Sequence, residues 1–318
     1  WGSGGSLRIE ESSKPRGQSI TSQVMETRRR FAMIDVMNTP ATSFQSAAAP
    51  RRMSRTVGDL LREWRQRRRM SQLVLATEAQ ISSRHLSFVE SGRAVPSREM
   101  ILRLAERLEV PLRARNALFV AAGYAPLFRE RPLDDPQLSA ARHAVELVLR
   151  AHEPFPALAV DRHWTMIAAN GALAPLVAGA APKLLEPPVN VLRLSLHPDG
   201  LANSIVNWFA WRAHVLQRVE RQAQTSGDAV LEALVAELAA YPTPPGAEDA
   251  PDETGALSDI VVPLRLRTSL GTLSFFSTTT VFGTPIDITL AELAIEAFFP
   301  SDEQTGEVLR AYARGGSF

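Results

Sequence analysis

Two groups of side chains in this sequence have the types and spacing to act on a partner. The first lies in Ser82-Ser83-Arg84-His85-Leu86-Ser87-Phe88 and extends to Arg93. With a helix starting at Ser83, Leu86 and Val89 face inward, with Ile81 behind the cap, while Ser83, Arg84 and Phe88 point outward near its N-terminal end. An outward guanidinium can pair bidentately with guanine, and a phenyl ring can touch a thymine methyl. The free N–H groups of a helix start suit a phosphate. Ser82, Ser87 and Arg93 border the same surface. This is chemistry for contacting duplex DNA, not for making or breaking bonds.

The second group is aromatic. Trp208, Trp211 and His214 lie at helical spacing, with Trp208 and Trp211 sharing a face as i and i+3. With Phe275 and Phe276 they could line an apolar pocket in which a polar group orients the occupant's head; they could equally be ordinary core. Arg193 is the best candidate to hold a carboxylate, because a guanidinium can bind one bidentately, and a surface or strand-end salt bridge is the competing role for it. Asn207 and His214 are the next polar candidates. Among these seven ligand-binding candidates the sequence alone does not choose.

Bond-making chemistry finds little footing. There is no Gly-x-Ser-x-Gly, no Gly-Lys-Ser/Thr and no His-Glu-x-x-His. The chain has no cysteine, and its six histidines (85, 143, 152, 163, 197, 214) are scattered without ligand spacing. The expectation is no catalytic residue, no metal, no cofactor and no enzyme. Lys183 is the one lysine after Lys14, and its proline-rich surroundings suggest exposure and not a Schiff base.

The elements that must position the first group are legible from periodicity. Val57, Leu60, Leu61 and Trp64 recur at i, i+3, i+4 and i+7, and Ile101, Leu104, Ala105 and Leu108 repeat that spacing behind Pro96 and a Ser97 cap. A further helix opens at Ser71-Gln72. Four short helices between Thr56 and Val110 thus bury one small core, and a fifth is expected over Arg113 to Ala122, stopped by Gly123 and closed off by Pro126. Residues 51 to 115 hold fifteen Arg and no Lys against seven acidic residues, a net of +8, while the whole chain is only +1. Charge so concentrated supplies the salt-sensitive, sequence-independent part of DNA affinity. A four-helix packing module used only for dimerisation is the competing reading.

The residues Ser71-Gln72, Leu75-Ala76, Ile81-Ser82, Ser87, Glu90, Gly92, Pro96-Ser97 and Leu104-Ala105 resemble the repressor/Cro-like (XRE) helix-turn-helix family. The resemblance implies that Gln72 contacts a phosphate and braces the recognition helix, and that Arg65 pairs with Glu90 beneath the DNA face. Met70 and Gln80 depart from the pattern, standing where the family usually has glycine; a non-glycine residue in a left-handed turn costs of order 1 kcal/mol.

With 318 residues the chain is long enough for two domains. No apolar run approaches the ~20 residues of a membrane span and no secretory signal is recognisable, so a cytoplasmic chain is expected. Residues 1 to 50 are expected to be a disordered tail or arm, with the Gly2-Ser3-Gly4-Gly5-Ser6 run reading as an added linker. Residues 51 to 124 form the helix-turn-helix domain, and the proline-punctuated 125 to 137 a linker. From 116 onward fourteen basic face twenty-three acidic groups, a net of −9, which DNA would repel.

Residues 138 to 312 read as an α+β domain of PAS-like character, with 313 to 318 as a tail. The expected order is a helix over Leu138 to Ala151 and a hairpin pairing Ala157 to Val160 with Trp164 to Ala168. A short helix from Asn170 follows, then helices over Ala202 to Arg221 and Asp228 to Ala240. An acidic, proline-rich excursion over Tyr241 to Gly255 precedes a second hairpin of Ile260 to Leu266 with Thr272 to Thr280, Pro263 marking an edge strand. A last helix is expected over Thr289 to Phe299, with Asp287 or Thr289 as cap. Val189-Asn190-Val191-Leu192-Arg193, His197-Pro198-Asp199-Gly200-Leu201, Ile205-Val206-Asn207-Trp208, Leu273 to Thr278 and Phe282-Gly283-Thr284-Pro285 resemble the ligand-binding domain of MmyB-like transcription regulators. That resemblance implies a pocket for a lipophilic small molecule, a fatty acid or similar ligand being the best guess. Taken together, the expectation is a DNA-binding regulator, a homodimer on an inverted repeat of double-stranded DNA, tuned by a lipophilic ligand. The alternatives are a C-terminal protein-interaction module without ligand and, more remotely, a lipid- or ester-processing enzyme.

Overall fold

The computed structural model describes residues 55–247 and 261–315, apart from 284 and 286. The expected tail over 1 to 50 and the second half of the 241 to 255 excursion lie outside the described residues. The helix-turn-helix half is five helices: α1 (Val57–Arg67), α2 (Gln72–Glu78), α3 (Ser83–Glu90), α4 (Arg98–Arg107) and α5 (Leu112–Ala121). Side chains set the starts. Thr56 and Asp59 close a capping box on α1, and Ser71, Ser82 and Ser97 each accept a backbone N–H at the start of α2, α3 and α4. The core is the predicted stripe, with Leu61, Leu75, Leu86, Val89, Ile101, Leu104 and Leu118 all fully buried.

Gly58 lets α1 lie directly on the end of α3: a Cβ there would stand 2.3 Å from the Val89 carbonyl oxygen. Of the two turns expected to lack their glycine, one holds its left-handed residue at Gln80 (φ 54°), whereas in the other it is Arg69 (φ 54°), not Met70.

The second half is built on an antiparallel sheet of five strands in the order β2-β1-β5-β4-β3. The strands are β1 (Ala157–Val160), β2 (Met166–Ala169), β3 (Leu264–Thr268), β4 (Gly271–Val281) and β5 (Ala294–Pro300). Both predicted hairpins are present, and β3, which follows Pro263, is indeed at an edge. Helix α6 (Ser139–Ala151) lies on one face, while α7 (Ala174–Val177), α8 (Val191–Leu196), α9 (Trp208–Ser226) and α10 (Ala229–Ala239) lie on the other; α12 (Glu303–Ala313) adds Leu309 to the core shared by α7 to α10.

Two expectations are corrected. The helix expected over Thr289 to Phe299 is only one turn, α11 (Ile288–Ala291), capped by Asp287, one of the two expected caps. Residues 294 to 300 form β5 instead, pairing with β1 on one side and β4 on the other. Its side chains alternate: Ile295 joins the core under α6, while Glu296 and Phe298 face the layer of α8 and α9. Pairing on both edges outweighs a local helical pattern, since without this strand the facing backbone groups of β1 and β4 would be left without partners.

The expected linker over 125 to 137 is likewise tied down. Asn116 of α5 donates to the Phe128 carbonyl and accepts from the Leu127 and Phe128 N–H groups. Further on, Ile288 N–H donates to the Arg129 carbonyl at 2.9 Å and Arg131 pairs with the wholly buried Asp287 carboxylate at 2.8 Å. Arg113, at the start of α5, makes a bidentate pair with Glu292, both contacts at 2.9 Å. The two domains are therefore joined through α5, this segment and α11.

Candidate nucleic-acid interface and ligand cavity

At the DNA-type surface the structure brings the expected residues together around α3. Ser83 and Arg84 are exposed, and Ser87 and Phe88 half-buried. Phe88 lies beneath two guanidiniums, with Arg84 5.5 Å and Arg93 6.0 Å from its ring centroid. These cation–π contacts fan the two arginines over the outward side of the helix. Ser82 uses its hydroxyl oxygen to cap the helix, accepting from His85 N–H at 3.1 Å, so it shapes this surface as well as bordering it.

Beneath this face sits the ion pair that the resemblance implied. The Glu90 side chain is fully buried, and Arg65 meets both its oxygens at 2.6 and 2.9 Å. Gln72 donates to Glu90 at 2.8 Å, which turns its amide toward the brace beneath α3. Burial alone would raise the Glu90 carboxyl; the hydrogen bonds from Arg65 and Gln72 outweigh it and hold the group below the ordinary carboxylate range. The same Arg65 donates to the Met70 carbonyl at 2.9 Å, so one side chain fixes both the turn after α1 and the base of α3.

The second domain encloses a cavity of about 90 Å³ between the sheet and α7, α8 and α9. That is several times the ~10–15 Å³ that admits a water, and less than the ~300–1,000 Å³ of sites that hold drug-sized ligands. An occupant of that size would have to part the walls. The walls are almost wholly apolar, from Leu176, Val177, Val191, Leu266 and Phe298 among others.

Of the seven ligand-binding candidates, Trp211 and His214 line this cavity, their rings stacked at 5.5 Å. The other five are placed elsewhere. Arg193 turns outward to make a bidentate pair with Glu237 at 2.8 Å, the surface salt bridge that was the competing role. Asn207 donates to the Pro263 carbonyl and accepts from Arg265 N–H, fastening the start of α9 to β3. Trp208 and Phe275 are fully buried core, and Phe276 stacks on Phe299 across the opposite face of the sheet.

The sequence reading missed the charged part of the wall, Arg218 and Glu296. Arg218 meets both Glu296 oxygens, at 3.0 and 2.5 Å, and its guanidinium lies 4.6 Å from the centroid of the Trp164 ring. Trp164, also on the wall, holds a left-handed backbone (φ 66°) that is costly for an aromatic residue. Its indole N–H donates to Gln222, whose amide donates to the Arg162 carbonyl. Among the described residues no group of three or more His, Cys, Asp or Glu is placed to hold a metal ion, and no helix is long and apolar enough to cross a membrane.

An exposed arginine-bearing helix on a basic bundle, tied to an α+β domain with an apolar cavity, defines a transcription regulator with a DNA-binding and a ligand-binding domain. Comparison with known families bears this out: residues 56–118 match a helix-turn-helix domain, and residues 141–311 match the MmyB-like transcription regulator ligand binding domain. The latter covers more than half of the chain, and the chain belongs to the MmyB-like transcription regulators. No curated protein matches the chain. Among solved structures, an RNA-binding light-oxygen-voltage receptor is similar at 12% identity over 93% of this chain and 64% of that one, with a TM-score of 0.22, too low to support any inference.

Proposed function

We propose that the chain regulates transcription by binding specific operator DNA through α3, with occupancy set by a lipophilic, fatty-acid-like molecule in the α+β domain. A single helix-turn-helix reads few base pairs, so useful specificity calls for a cytoplasmic homodimer on an inverted repeat with half-sites about one helical turn apart. On this reading the protein performs no catalysis.

The observation that carries the proposal is the cavity: apolar on nearly every side and, at about 90 Å³, well below the ~300–1,000 Å³ of sites that hold drug-sized ligands. A ligand can shift an equilibrium only through differential affinity for two states. A cavity that must open to be filled supplies two such states. The route toward DNA is short, since Glu292, which pairs with Arg113 of α5, stands four residues before Glu296 on the cavity wall.

Native mass spectrometry after gentle purification tests the ligand, and is expected to show a co-purified lipophile. DNA binding by fluorescence anisotropy tests α3: Arg84→Ala should weaken a cognate site by roughly ten-fold or more, about 1–3 kcal/mol, and random duplex far less. A protein that stays empty, with its DNA affinity indifferent to every added lipophile, would refute the ligand half; equal losses on both duplexes would refute the role given to Arg84.

A further inference from the structure

The polar end of the ligand can be read from the charges on the cavity wall, provided the cavity is the lipophile site proposed above. Among the described lining residues only Arg218 and Glu296 carry formal charge, and they neutralise one another. Both Glu296 oxygens accept from Arg218, and Oε1 also accepts from Thr279 at 2.8 Å. The Glu296 side chain is only 4% exposed. An incoming carboxylate would thus meet a guanidinium already neutralised, beside a buried carboxylate that repels it. Charge brought into such a site without a free partner is strongly disfavoured.

The remaining polar groups suit an uncharged occupant. Burial first, and the Arg218 charge second, push the His214 imidazole below the ordinary histidine range, so near neutrality it offers one donor and one acceptor. Ser195 accepts from the Trp211 indole N–H at 3.0 Å, which leaves its own O–H to donate into the cavity.

We infer that the cavity selects an electrically neutral lipophile, a long-chain alcohol, ketone, ester or amide, and discriminates against the carboxylate of the same chain, with Glu296 as the residue that sets this specificity. The fatty-acid-like character then lies in the chain and not in the head.

The test is isothermal titration of the delipidated full-length protein with dodecanol and with dodecanoate near pH 7.5. The wild type should bind dodecanol at least ten-fold more tightly. Glu296→Gln, which strips Arg218 of its partner, should reverse the order, raising dodecanoate affinity by more than the wild-type preference for dodecanol. Should that variant fail to fold, the double variant Arg218→Gln/Glu296→Gln carries neither charge and should still rank dodecanoate as the weaker ligand. Dodecanoate binding as tightly as dodecanol to the wild type overturns the inference and leaves the lipophile site standing. Binding of neither overturns the lipophile reading, and the inference with it.

Discussion

Replacing Arg65 by methionine should damage the DNA-binding bundle more than any other single change to its charged residues. Glu90 is fully buried and Arg65 only 12% exposed, so their pair is well removed from water. Methionine fills similar volume but leaves the carboxylate with Gln72 at 2.8 Å and the half-exposed Arg62 at 3.5 Å. Breaking a buried pair from one side costs about 3–5 kcal/mol, and the partners that remain put this case near the lower end. Loss of the bond to the Met70 carbonyl adds about 1 kcal/mol. Native-state hydrogen exchange in the full chain reads this directly: amides of α3 such as Leu86 and Val89 should exchange at least a hundred-fold faster. The double replacement Arg65→Met/Glu90→Leu removes the stranded charge and should recover most of the loss. If Arg65→Met cost less than ~1 kcal/mol, or the double variant were no better than the single, the assigned role of the buried pair would be refuted.

Three further outcomes are expected. Because Glu90 titrates below its unfolded value of ~4.3, its contribution to stability is complete above that pH and is lost as pH falls through the folded value. Acid unfolding followed by circular dichroism should therefore begin at higher pH in wild type than in Glu90→Gln measured against its own neutral baseline. Gly58→Ala places a methyl 2.3 Å from the Val89 carbonyl oxygen and should cost about 1–3 kcal/mol, seen as a lower thermal midpoint. Arg113→Ala removes the bidentate bond to Glu292, and trypsin should then cut faster after Arg129; an unchanged cleavage rate would show that Asn116 and Asp287 alone hold that segment.

The helical half was legible almost residue by residue because its signals are local. The i, i+3, i+4, i+7 stripes of α1 and α4 are the observed core, and three serines at the positions of the caps start three helices. The sheet was legible only where turns announce it, as at Leu270-Gly271 and Asp161-Arg162-His163. β5 carries no such mark. Leu290, Leu293, Ala294 and Phe298 lie at helical spacing, and what decides against a helix there is pairing with β1 and β4, strands distant in sequence.

That one misreading also accounts for the error at the ligand site. With residues 294 to 298 read as a helix, nothing brings Glu296 toward α9, and residue type alone singles out Arg193 as a carboxylate partner. With 294 to 300 as a central strand, every second side chain enters the cavity layer and Glu296 must meet whatever α9 presents there. On α9 the stripe that begins at Trp211 continues through Val215 and Arg218 to Gln222 at i+4, i+7 and i+11, so Arg218 was on the right face from the start. Neither side chain is informative alone: an arginine late in an amphipathic helix is normally solvated, and a glutamate between Ile295 and Ala297 has no local reason to be buried. It is their pairing, available only once the strand is placed, that lets both sit on the wall of an apolar cavity and makes its charge balance zero.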